Sequence, residues 1–230
     1  MPIWKIKAMR VPALILFLAF SAAPAFASTF SFVTPSNSLA AGSAVDAQAK
    51  FQVSAGLMYV TLVNVESGIT SVGQNISSIF FTVNSGASVL SLSPSDLAAS
   101  SGTEVSIDSS GTVTGSQTVS STHWKAGSSS GQSYLNDLSG GQPVDTIIGP
   151  PSYATVNSSI AGNAPHNPFV QQQAVFTIRN PGLLATSTIS SVSIGFGTAA
   201  GNAVRAIPEP GGLALLGIGL IALFIKRSKS

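Results

Sequence analysis

Leu57-Met58-Tyr59-Val60-Thr61-Leu62-Val63 is the stretch whose pattern decides the fold. Met58, Val60 and Leu62 fall on every second position, so an extended chain gathers them on one face and leaves Tyr59 and Thr61 on the other. A helix would scatter the same residues around its axis. Phe51 and Val53 give a short strand before this run, and Ile79-Phe80-Phe81-Thr82-Val83 and Ser88-Val89-Leu90-Ser91-Leu92 follow it. Glu104–Ile107 and Thr112–Thr114 flank Asp108-Ser109-Ser110-Gly111, a turn composition that predicts a hairpin. Thr118 to Trp124 reads as a further strand. Ala174–Ile178 and Thr188–Phe196 close the series, the latter with Val192, Ile194 and Phe196 pointing one way. About eight short strands at this spacing predict an all-β fold, a single antiparallel β-sandwich of immunoglobulin-like or jelly-roll type.

Composition agrees with this. Ser, Thr, Val and Gly are abundant, Lys and Glu are few, and no long stretch carries helical periodicity. The chain has no cysteine, so stability rests on burial and backbone pairing. Two stretches read as irregular. Residues 85–130 hold 16 Ser and 5 Thr, which predicts long surface loops between short β pieces. Pro143 to Pro168 carries Gly149-Pro150-Pro151 and Pro165-His166-Asn167-Pro168, a composition that rules out a central strand in the sequence reading.

The two ends are addresses. Lys5, Lys7 and Arg10 precede the apolar Val11–Phe20, and Ala25-Phe26-Ala27 supplies small residues where a signal peptidase reads. Residues 1–27 are therefore expected to be a cleaved signal peptide, with Ala25 and Ala27 at the cleavage site and Ser28 as the first mature residue. At the other end, Pro208-Glu209-Pro210 blocks any helix from crossing it. Leu213–Ile225 is then uncharged and apolar for 13 residues, and Lys226, Arg227 and Lys229 close the chain. A comfortable bilayer span takes about 20 residues, so this segment is short for a permanent anchor. Its terminal position and basic stop argue for a membrane helix, held with its cations on the cytoplasmic side. The chain's net charge of +2 comes from these ends. Residues 28–207 keep four cations against seven acids, so the basic character gives no support for a nucleic-acid partner.

Ile207-Pro208-Glu209-Pro210, a Gly/Leu-rich apolar run and Lys226-Arg227, together at the C-terminus, resemble the PEP-CTERM sorting signal of Gram-negative bacteria. The resemblance covers the last tenth of the chain. It implies recognition by exosortase, a membrane-embedded cysteine protease that removes the anchor, in organisms that secrete exopolysaccharide and form biofilm. It implies an address and no activity. The layout Asn180-Pro181-Gly182, Ile189 and Gly195-Phe196-Gly197-Thr198 is similar to bodies that carry this signal.

Chemistry is sparse between the addresses. His123 and His166 stand in no metal-ligand spacing, and the acids form no calcium loop of alternating Asp/Asn about a glycine, so neither a metal nor a cofactor is expected. Gly127-Ser128-Ser129-Ser130-Gly131 matches the Gly-x-Ser-x-Gly pattern of serine hydrolases, but it lacks the strand-to-helix context that the elbow requires. Trp124, beside His123 and Lys125, is the candidate sugar contact, against the plainer reading of a half-buried strand-end Trp. Asn75-Ile76-Ser77 and Asn157-Ser158-Ser159 match a glycosylation sequon that carries little weight in a bacterium.

The reading is then a signal peptide (1–27), a non-enzymatic extracytoplasmic β-sandwich (28–206) and a sorting signal (207–230). Its processing partners are signal peptidase and exosortase. The chain is held briefly in the inner membrane and then passes to the surface or matrix, as a structural or adhesive protein with exopolysaccharide as a partner. A carbohydrate-binding module is the alternative, and a secreted polysaccharide hydrolase is the third.

Overall fold

The computed structural model describes residues 28–138, 142–150 and 152–209. The expected signal peptide and the expected C-terminal membrane helix fall on residues outside these. β1 (Ser28–Val33) is followed by the small pair β2 (Leu39–Ala40) and β3 (Ser43–Ala44), then by β4 (Ala47–Ser54) and β5 (Leu57–Asn64). Next come β6 (Ile76–Ser85), β7 (Ser88–Leu90), β8 (Leu97–Ile107) and β9 (Val113–Val119). β10 (Lys125–Ser129), β11 (Gln132–Asn136), β12 (Ile147–Ile148) and β13 (Phe169–Arg179) precede β14 (Thr188–Phe196), β15 (Ala203–Arg205) and β16 (Ile207–Pro208). Among the described residues, no helix is long and apolar enough to cross a membrane.

The fold is all-β and mostly antiparallel. Fourteen strands form one hydrogen-bonded network built on two ladders, β9-β8-β13-β5-β4-β1-β16 and β10-β11-β6-β14-β15, with β7 also paired to β6. β12 stitches them together: Ile147 pairs antiparallel with Ile76 of β6 and parallel with Val170 of β13. Alternation places the core as the sequence pattern demands. Ala47, Ala49, Phe51 and Val53 of β4 and Met58, Val60 and Leu62 of β5 are fully or almost fully buried, while Gln48 and Lys50 face out. The two strands meet through Ala55-Gly56, where Gly56 takes φ 73°, a conformation that costs glycine little. Phe51 lies edge-on to Phe32 at 5.9 Å and to Phe81 of the other ladder at 5.1 Å, so one apolar cluster joins both ladders.

Several expectations need correction. The predicted Thr118–Trp124 strand ends at Val119. Beyond it the backbone donors turn to side chains: Thr122 N–H donates to Ser100 Oγ and His123 N–H to Asp145 Oδ2, both at 2.8 Å, so no ladder continues. The Ser-rich stretch 85–130 is largely strand rather than loop, because β8 and β9 pair along most of their length and β10 begins at Lys125. Gly127–Gly131 lies in the β10–β11 hairpin, whose turn residues Ser130 and Gly131 both have positive φ, as a primed turn requires. The proline-rich stretch does contain a central strand, since Ile147 and Ile148 lie clear of the prolines and are fully buried. The predicted turn at Asp108 holds. Its carboxylate accepts from Ser110 Oγ and from the N–H groups of Ser110 and Thr112. These bonds keep the carboxyl below the ordinary Asp range, with the Ser110 hydroxyl the largest cause.

Candidate functional site

The sorting segment begins inside the fold. Ile207 and Pro208 pair with Val33 and Phe32 of β1, and Glu209 N–H donates to Ser31 O at 3.0 Å. The boundary expected between 206 and 207 is therefore not a boundary of the sheet. Proline suits this place because β16 is an outer strand, where a missing N–H leaves no ladder bond unmade. Ile207, Pro208 and Glu209 are all exposed. Beside them a groove of about 550 Å³ runs between β1, β14 and β16, floored by Phe30, Ile189 and Val192 and flanked by Arg205. β1 starts at Ser28 and lies between β4 and the outer strand β16, so both ends of the described body lie on adjacent strands at one edge of the ladder. Pro210, the basic stop of Lys226, Arg227 and Lys229, and the cleavage residues Ala25 and Ala27 fall outside the described residues.

Trp124 is not a surface aromatic. It is only 3% exposed, its ring centroid lies 4.9 Å from that of Phe176, and its indole N–H donates to Asp145 O at 2.9 Å. A sugar ring has no face to stack on there, and the candidate sugar contact becomes a core residue. The reason is non-local: the carbonyl that satisfies the indole comes from a segment 21 residues on. Trp124→Phe keeps the ring packing but leaves a buried carbonyl unpaired. We expect it to lower unfolding free energy by about 1–3 kcal/mol in denaturant titrations.

Asp145 organises its surroundings. Its Oδ2 accepts from His123 N–H and meets His123 Nδ1, both at 2.8 Å, and its own N–H donates to Pro168 O. The imidazole faces solvent while the carboxylate is buried. Among the described residues, five buried side-chain oxygens have no hydrogen-bond partner: Asn75 Oδ1, Ser77 Oγ, Asn136 Oδ1, Asp137 Oδ2 and Asp145 Oδ1. All five belong to one region, where the start of β6, the end of β11 and the approach to β12 meet. Asp137 N–H donates to Ser77 O at 3.0 Å, and Asn75 Nδ2 donates to Thr146 Oγ1 at 3.1 Å. Burial, with the Asp145 charge second, pushes the Asp137 carboxyl up to about 8. Among the described residues no three His, Cys, Asp or Glu side chains gather, so the cluster combines two acids with neutral oxygens. Sequence reading missed it because the five residues span positions 75 to 145.

These features define an all-β body whose last outer strand runs directly into a Pro-Glu-Pro segment. A family model for the PEP-CTERM protein-sorting motif matches residues 206–228. The chain thus carries a PEP-CTERM sorting signal, which implies export, surface sorting and processing by exosortase. No curated protein and no solved structure matches the chain.

Proposed function

We propose that this chain is a non-catalytic surface or matrix protein: a β-sandwich exported through the inner membrane, held briefly by its C-terminal helix, and then released or attached by exosortase. The observation that carries this reading is the sorting motif, which starts on the exposed outer strand β16, where a protease can reach the chain without opening the core. The Phe51–Phe81 contact between ladders supports the sandwich, in the immunoglobulin-like or jelly-roll class. β9 supports a structural or adhesive role in exopolysaccharide: it pairs only with β8, and six of its seven residues, Thr114, Ser116 and Thr118 among them, are exposed to solvent. The burial of Trp124 removes the main support for the carbohydrate-binding alternative.

Intact mass of the protein from its native cells, separated into membrane, matrix and medium, tests this. The expected species begins at Ser28, lacks the residues after the Pro-Glu-Pro, and lies in matrix or medium. Retention of Gly211–Ser230 on all of the protein, in the membrane fraction alone, would overturn the proposal.

A further inference from the structure

Every unpartnered buried side-chain oxygen among the described residues lies in the region between β6, β11 and β12. Chance would spread such orphans over the body, and each one leaves a buried group without the partner that burial demands. What they have in common decides what they need. Asp145 accepts hydrogen bonds and does not donate when ionised, and Asp137 is likewise an acceptor alone once a cation displaces its proton. The Asn75 amide nitrogen is already spent on Thr146, the residue after Asp145, so the same bond brings Oδ1 to the segment that carries Asp145 and leaves it an acceptor. Asn75 and Ser77 are two apart on extended chain and therefore project to one side. Asp137 meets Ser77 directly through its backbone. Asn75, Ser77 and Asp145 are fully buried and Asp137 nearly so, and the neutral orphans arise independently of the acids. A set of buried acceptors gathered in one region calls for positive charge among them.

We propose that Asn75 Oδ1, Ser77 Oγ, Asp137 Oδ2 and Asp145 Oδ1 form a buried binding site for a calcium ion. The donors are all hard oxygens, which suit calcium and exclude the nitrogen and sulfur preference of zinc. Two carboxylates balance a divalent charge. Four side-chain oxygens leave room for backbone carbonyls or water to complete the six to eight that calcium takes. The other oxygen of Asp145 is fixed by His123 N–H, which holds the carboxylate in place. The ion would tie the end of β11, the start of β6 and the approach to β12 together, at the point where β12 joins the two ladders.

The test uses the full chain in mild detergent, stripped with chelator. Calcium chloride titrated by calorimetry should report one site, with Kd of about 10⁻³ M or tighter, the range of extracellular modules and below. Calcium should raise the thermal midpoint, and magnesium should do so less. Asp137→Asn keeps the side-chain shape without the charge, so it folds, and it should weaken calcium binding at least about tenfold. Terbium adds a positional readout. Trp124 donates to the Asp145 carbonyl, so tryptophan excitation should light bound terbium, calcium should displace it, and Trp124→Phe should abolish the emission while calorimetric binding remains. Absence of heat and of any midpoint change at millimolar calcium, equal binding by Asp137→Asn, or terbium emission that survives Trp124→Phe would each overturn the proposal.

Discussion

Phe51→Ala should lower the free energy of unfolding by about 3–5 kcal/mol, the cost of deleting a buried aromatic ring. The ring is fully buried on β4. It meets Phe32 of its own ladder edge-on and Phe81 of the other ladder at 5.1 Å. Truncation therefore removes a transfer term, opens a cavity and breaks two aromatic contacts, each worth about 0.5–1.5 kcal/mol beyond its area. A domain of this size holds only about 5–15 kcal/mol in total, so the variant would keep a reduced margin and a thermal midpoint lower by about 6–20 °C. Lys50→Ala, one residue away on the outward face, is the control, and a change within about 0.5 kcal/mol is expected there. Denaturant midpoints for the two variants decide the matter. A Phe51→Ala loss under about 1 kcal/mol would mean that Phe51 does not bridge the two ladders.

What the sequence disclosed and what it hid follow one physical division. β5 and β14 were readable because burial on one face writes a period of two into the residues, and Met58, Val60, Leu62, Ile194 and Phe196 are all fully buried. β10 and β11 were not readable. Ser128, Ser129, Gln132 and Ser133 have weak strand preference, and these strands form because β11 pairs with β6 along Ser78–Phe81 and buries Ala126 and Leu135. β12 is too short to carry any pattern, and its position between β6 and β13 is set by partners far away in sequence. The sorting signal was legible because it is a linear address, recognised by order along the chain. The oxygen cluster is the opposite case. Asn75, Ser77, Asp137 and Asp145 come together only through the β6–β11 and β6–β12 pairings, so no spacing announces them. No local signal pointed to Asp137 either, since it follows β11, whose inward alternation shows only in the folded burial.

With chelator present, so that the carboxyl titrates without a cation, the body should lose stability as pH rises from about 4 to about 8. Asp137 is the cause. It is 4% exposed, its Oδ2 has no partner, and the groups that bear on it are the Asp145 carboxylate and, beyond Asp145, the solvent-facing His123. Burial first, and the Asp145 charge second, raise the carboxyl from 3.8 to about 8 in the folded chain. Between those values the folded state keeps a proton that the unfolded state has released, so stability must fall with increasing pH. The contribution is fully present below the unfolded value, declines through the window, and is gone once pH passes the folded value. At about 1.4 kcal/mol per pH unit, the span amounts to at most about 6 kcal/mol. Asp137→Asn has no proton to lose, so its profile should flatten between pH 5 and 8 and cross above the parent near neutrality. Urea unfolding at stepped pH reads the slope directly. Parallel profiles for parent and variant would show that the carboxyl titrates normally and that its surroundings are wet. A slope present only in the parent, and abolished by saturating calcium, would tie the buried acid and the cation to the same four oxygens.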